Sequence, residues 1–240
     1  MRHNLCSGKL VINKRPSRDN DFQFQRAGAS GFTLVELLLA VVLAGIVTAG
    51  IYSLYRSQQK SYAAQEELSQ LQAKMRTALY FLERDISMAG CDPTGQANAG
   101  IVFAMDNSIR MTMDRDADGD ATEYDEDITY SLYNSSGVIK LGRKTPATAT
   151  NQPVAEYIDA LDFVYLGPDG SPLATPVSDP KKIKSVQITI VGRTARADPG
   201  YRDTHVYKNQ QGDVILGPMN DGYRRMLLST EVLCRNLALK

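Results

Sequence analysis

Histidine is nearly missing from this 240-residue chain: His3 and His205 are the only two, and no HExxH pair can be built from them. Neither a GxSxG elbow nor a GxxxxGK[ST] phosphate loop occurs, so the signatures of zinc peptidases, serine hydrolases and P-loop nucleotidases are all lacking. Two S-x-x-K matches, Ser57–Lys60 and Ser178–Lys181, have no companion motifs. The chain reads as non-enzymatic. Charge is also missing where it matters: from Leu37 to Tyr55 there are 19 residues without one. Proline is absent from residues 32–89, and no internal repeat is visible.

Net charge is zero overall but unevenly spread. Residues 1–31 hold six basic and two acidic side chains, a net of +4, which leaves −4 for the remainder. The acidic balance of the larger part gives no electrostatic case for nucleic-acid binding. A basic leader ahead of an apolar run reads as cytoplasmic by the positive-inside rule, sending the chain beyond Tyr55 across the membrane. The uncharged run makes about 28 Å of helix, one bilayer core. A secretory signal peptide fits less well, because its apolar region is shorter and ends at a small-residue cleavage site. An uncleaved single-span anchor remains an alternative. The exception to the apolar composition is Glu36, at the head of the run, and a carboxylate there needs a partner or a task.

Residues 32–89, taken as one helix, would extend about 87 Å and project well beyond a bilayer. In the second half, Leu68, Leu71, Met75, Leu79, Leu82 and Ile86 recur at steps of three and four, the signature of one buried stripe. Cys91-Asp92-Pro93 and the adjoining Thr94-Gly95 are expected to end the helix. Beyond residue 100 the period becomes two: residues 101–105, 109–113, 128–133, 138–142, 160–166, 186–192 and 227–233 are short β-branched or aromatic runs separated by turn residues. Asn134-Ser135-Ser136-Gly137 has hairpin composition, and 144–156 and 167–182 read as loops. The expected class is α+β, a very long N-terminal helix on an antiparallel sheet domain. Its parts are a leader (1–31), a membrane half of the helix (32–55), an amphipathic half (56–90) and a β-rich domain (91–240).

The stretch from Met113 to Tyr130 is dense in acid, with eight acidic residues against one basic between 114 and 127. Asp114, Asp116, Asp118 and Gly119 follow the D-x-D-x-D-G opening of a calcium loop. Asp120 stands where a backbone carbonyl would serve, and Asp125 takes the twelfth position instead of Glu, with Glu123 or Glu126 as substitutes. A solvated hairpin tip is the other reading. Calcium is the one cofactor the composition suggests. With Cys6 in the leader, Cys91 and Cys234 are left as a pair in an oxidising compartment, either bridged or as two separate thiols.

Gly31-Phe32-Thr33-Leu34-Val35-Glu36, behind a basic leader and ahead of a span of the right length, closely resembles the prepilin cleavage and methylation signature. FLERDISMAGCDPTG, LDFVYLGPDG, IKSVQITIVGRTARADPGYRD and STEVLCRNL are similar to minor pilins of the PilW kind, relatives of the J-type minor pseudopilins of type II secretion. The resemblance covers most of residues 31–240. It implies the type IV pilin fold, cleavage by a prepilin peptidase between Gly31 and Phe32, and methylation of the new Phe32 amine. Glu36, fifth in the mature chain, would pair with the terminal amine of a neighbouring subunit and set register. The implied partners are the peptidase, other pilins or minor pilins in a mixed filament, and an inner-membrane assembly platform. The implied location is the inner membrane, then the pilus fibre or tip. A minor pseudopilin of a secretion system is the runner-up, and a membrane-anchored periplasmic calcium-binding or adhesive module that never polymerises is a third reading. The leader is long for a pilin, and Ser53 stands where major pilins often carry a kinking proline.

Overall fold

Without a proline to interrupt it, the N-terminal region forms one helix, α1 (Leu34–Met88), of 55 residues. The architecture is that of a computed structural model, which describes residues 31–146, 148 and 150–238. The basic leader, apart from Gly31, lies outside the described residues. The chain resolves into two units, one ending at Leu54 and one beginning at Tyr55.

In the first unit every described residue is exposed, including Phe32 at 86% and Leu34 at 73%. None of its most apolar 18-residue window is buried within the chain. By length and composition this part of the helix is apolar enough to cross a membrane.

In the second unit α1 turns amphipathic. Leu71, Met75, Ala78, Leu79, Leu82 and Ile86 are buried along one face, so the stripe read from the sequence is the packing face, with Leu68 only half-buried at its start. The helix stops before Asp92-Pro93 can interrupt it: Gly90 takes a left-handed φ of +78°, and Cys91 N–H returns to the Met88 carbonyl at 3.0 Å. Glycine reaches that conformation without a Cβ penalty, which is how many helices end. The Asp92-Pro93 segment comes after the stop and does not cause it.

Among the described residues the second unit adds ten strands, a 3-10 turn (Pro180–Lys182) and a short helix (Arg235–Ala238). β1 (Ile101–Met105), β2 (Ser108–Thr112), β3 (Asp127–Ser135), β4 (Val138–Lys144) and β5 (Gln152–Glu156) form a five-stranded antiparallel meander in chain order. β6 (Ile158–Leu166), β7 (Ser185–Arg193) and β10 (Arg225–Leu233) form a second sheet, ordered β10-β7-β6, and β8 (Tyr207–Lys208) pairs with β9 (Val214–Leu216) in a small ribbon. The antiparallel sheet domain expected from the sequence consists of two larger sheets and a ribbon. The chain changes sheets at one residue, Tyr157, which has φ +64°. The expected hairpin is present: Ser136 (φ +54°) and Gly137 (φ +80°) make a two-residue turn, with Gly137 N–H on Asn134 Oδ1 at 3.0 Å. Two positive φ values in succession match the twist of the flanking strands.

One core unites the second half of α1 with both larger sheets. Met75, Leu82 and Ile86 meet Ile109, Met111, Ile128, Tyr130 and Leu141 from the first sheet and Phe163, Tyr165, Val186, Ile188 and Ile190 from the second. Each fully buried side chain of this kind contributes roughly 1.5–3 kcal/mol. β7 is buried on both faces: Val186, Ile188 and Ile190 belong to that core, whereas Val191 belongs to a smaller cluster with Tyr207, Ile215 and Leu216 of the ribbon. The ribbon thus covers the outer face of the second sheet. Helix and sheet approach closely at Gly192, where a Cβ would lie 2.9 Å from Leu71 Cδ1 and from Met75 Sδ.

Candidate functional site

At the start of α1 a short polar constellation precedes the apolar run. Thr33 N–H and Thr33 Oγ1 both donate to Glu36 Oε2 at 2.9 Å, and Glu36 N–H returns to Thr33 Oγ1 at 3.3 Å. This is a capping box, with Thr33 as the N-cap and Glu36 three residues on. It satisfies amide donors that the first turn of a helix leaves unpaired, and it sets a carboxylate at the positive end of the helix dipole. The T-x-x-E spacing is the sequence signal for it, and a reading of Glu36 as a charge alone misses this second role. Gly31 and Phe32, immediately before, are exposed and outside any regular element, an accessible stretch of backbone at the expected cleavage point.

The second constellation is the loop between β2 and β3. Ligand oxygens of Asp114, Asp116 and Asp118 lie within 4.8 Å of one another. Asp114 is fully buried; its Oδ1 accepts from Ala117 N–H at 2.7 Å, and its Oδ2 from Gly119 N–H and Thr94 Oγ1, each at 3.2 Å. Asp116 and Asp118 are exposed and each accepts one amide two residues on. Asp120 accepts from Thr122 N–H at 2.8 Å. Asp116 and then Asp118 are the main reasons the nearby Glu123 carboxyl is held above its ordinary range. The structure does not bring Asp125 to the cluster as a twelfth-position ligand would require: its two oxygens face Arg143 Nη2 at 3.3 Å and Arg115 Nη1 at 3.8 Å. The arginines satisfy its charge instead. Glu126 is the acid that turns into the loop, 3% exposed, with Oε1 accepting from Arg115 N–H at 2.6 Å.

Cys91 and Cys234 are both free thiols in the structure, not the bridge that is one of the two readings of the sequence. Cys234 is buried in the main core, Cys91 packs against that core, and burial pushes the Cys234 thiol up to about 12. A thiol so far from ionisation is a poor nucleophile for exchange.

Two ionic networks have no counterpart in the sequence reading. Asp85, 3% exposed on α1, accepts from Tyr130 Oη at 2.8 Å and Arg143 Nε at 3.0 Å through Oδ2, and from Arg84 through Oδ1. It ties the helix to β3 and β4. Arg225, 1% exposed at its side chain, pairs with Asp159, Asp203 and Asp221 at 2.7, 3.0 and 2.6 Å, drawing β6, β10 and the 203–221 segment together. A sign of such a network is an acid standing at a core position of a periodic pattern, as Asp85 does between Leu82 and Ile86.

Residues 26–52 match the family model described as the prokaryotic N-terminal methylation motif. That match contains Gly31–Glu36 and most of the uncharged run. No curated protein matches the chain. Among solved structures, a type IV-like pilin from Thermus thermophilus is similar at a TM-score of 0.48 and 14% identity, over 70% of this chain and 98% of that one.

Proposed function

We propose that this chain is a type IV pilin-class subunit, made as a membrane-anchored precursor, cut between Gly31 and Phe32, methylated at Phe32 and assembled through its N-terminal helix. The observation that carries the reading is the methylation motif, matched over residues 26–52, placed at the head of an apolar helix whose surface is wholly exposed from Phe32 to Tyr62 except for what a membrane or neighbouring helices would cover. Cleavage there would create an amine four residues before Glu36. In an isolated subunit Glu36 Oε2 serves its own helix start. On assembly the carboxylate meets the amine of a neighbouring subunit, and a paired charge is tolerated in hydrocarbon where a lone one is not.

Within that class we assign a minor pilin of the PilW kind, on the similarity of the helix end, the 161–170 strand and turn, the 183–203 stretch and the closing STEVLCRNL segment. The leader then lies in the cytoplasm and the part from residue 56 onward on the periplasmic side, in keeping with the +4 leader. A structural role in filament assembly accounts for the placement of charge at the N-terminus without any reaction.

Intact-mass measurement of the protein isolated from its native membrane tests the class. The expected mass lacks residues 1–31 and carries one added methyl group; a full-length, unmethylated mass overturns the proposal. Recovery in sheared surface fibres is expected of a pilus subunit, and retention in the envelope points to a secretion-system pseudopilin instead.

A further inference from the structure

Glu126 has a buried oxygen with nothing to bind. Among the described residues, its Oε2 is the one buried side-chain polar atom without a hydrogen-bond partner. Leaving a carboxylate oxygen dry and unpaired is strongly unfavourable, so such an atom is rare and calls for a partner, an ion or an ordered water. Its sister oxygen, Oε1, is anchored at 2.6 Å on the amide of Arg115, the residue between Asp114 and Asp116, which ties the carboxylate to the loop that carries the three aspartates. The loop around it is preformed: Ala117 (φ +65°) and Gly119 (φ +94°) turn the backbone sharply, and Asp114, Asp116 and Asp118 converge within 4.8 Å.

We propose that the β2–β3 loop is a calcium site whose side-chain ligands are Asp114, Asp116, Asp118 and Glu126, with Glu126 and not Asp125 as the closing acid. The donor set is oxygen only, which suits a hard dication. Several carboxylates on an exposed loop favour calcium, with its flexible coordination of six to eight oxygens, over magnesium, which demands near-ideal octahedral geometry and keeps its waters. The three aspartates retain oxygen lone pairs for an ion, since a carboxylate offers about four acceptor sites and the most heavily bonded, Asp114, uses three. Asp125 faces Arg143 and Arg115, whose charges compete with an ion for it. Because Thr94 Oγ1 donates to Asp114 and Asp114 N–H donates to the Cys91 carbonyl at 2.7 Å, the ion would also fix the segment just past α1. This inference does not depend on the pilin reading.

Titration of the full chain in detergent with calcium chloride, monitored by calorimetry and by melting temperature, is the test. The expected result is saturable one-site binding with Kd on the order of 10⁻⁴ M, a higher melting temperature in calcium than in EDTA, and weaker binding of magnesium. Asp118→Asn and Glu126→Gln are expected to weaken calcium binding by roughly tenfold or more while keeping the wild-type melting temperature in EDTA, and Asp125→Asn to change it by less than about twofold. Asp118 is exposed, so its replacement reads binding without disturbing the core even if Glu126→Gln perturbs folding. Absence of saturable calcium binding up to about 10 mM overturns the site. Unchanged affinity in a folded Glu126→Gln variant, or a loss in Asp125→Asn equal to that in Asp118→Asn, overturns the assignment of the closing ligand.

Discussion

Replacing Asp85 by alanine removes the charge at the centre of the helix-to-sheet network, and its cost can be worked from the contacts. Arg84, with 42% of its side chain exposed, returns to water and contributes little when its partner is lost. Tyr130 and Arg143 do not. The Tyr130 side chain is fully buried, with burial and then Asp85 holding its phenol well above the ordinary range, and Arg143 is 16% exposed. Stranding a buried donor costs about 1–3 kcal/mol, and breaking a buried ion pair by removing one member costs about 3–5 kcal/mol. Arg143 keeps Asp125 at 3.3 Å, which offsets part of this, so the expected loss is about 3–4 kcal/mol. The chain has no tryptophan and 12 tyrosines, so urea unfolding in detergent is best monitored by tyrosine near-UV circular dichroism. With a slope near 2 kcal/mol/M the midpoint should fall by about 1.5–2 M. The triple replacement Asp85→Leu, Tyr130→Phe, Arg143→Met should recover most of the loss, because an apolar set of similar volume has nothing left unpaired. A midpoint shift under about 0.3 M for Asp85→Ala would refute the reasoning.

Glu36→Gln separates the two roles of that residue, since glutamine keeps the capping box and removes the charge. It is expected to preserve helicity and processing yet impair filament incorporation as severely as Glu36→Ala; normal incorporation of the glutamine variant, with failure of the alanine one, would make capping the operative role. Gly90→Ala should destabilise by about 2–4 kcal/mol, from roughly 1–2 for a left-handed residue with a Cβ and the remainder from contact with Leu237 Cδ2, only 2.6 Å from the new atom. A melting temperature equal to wild type would contradict it. Asp221 is held below the ordinary carboxylate range chiefly by its Arg225 hydrogen bonds, and Asp203 is also lowered, although its burial opposes this, by bonds from His205 N–H and Arg225. Groups with depressed folded values stabilise fully above about pH 4 and lose that contribution as the pH falls through the folded values. Hydrogen exchange of residues 194–224 should therefore accelerate, relative to the intrinsic rate, below about pH 4, and protection unchanged at about pH 3 would count against the network.

Seven strands lie where the period-two runs place them, because β-branched and aromatic side chains alternating between a core and a wetter face leave that imprint. β5 leaves none: Gln152-Pro153-Val154-Ala155-Glu156 has proline and polar ends, tolerated because it pairs on one side only, with β4. β8 and β9 are two and three residues long, too short for any period to show. The division into two sheets turns on Tyr157 alone, and nothing in an amphipathic pattern reports a single left-handed residue. At the N-terminus the motif and its acid are legible, but the hydrogen bonds that make Glu36 a helix cap depend on where the helix begins. In the acidic loop the aspartate spacing is legible, whereas the pairing of Asp125 with Arg143, 18 residues away in sequence, is not.

The C-terminal end of α1 is finished by residues made long after it. Asn236 Nδ2 donates to the carbonyls of Ser87 and Met88, and Leu237 fills the space that Gly90 leaves open. The Ser87 partner is 149 residues distant, so while the chain is being synthesised these side-chain contacts at the helix terminus stay unmade until almost the whole sheet region has arrived. Contacts this remote in sequence slow folding, since the intervening loop must close before they form. The closing step of folding would then be the arrival of a few residues near position 236, and a chain stalled short of them would present a frayed helix end and an incomplete core.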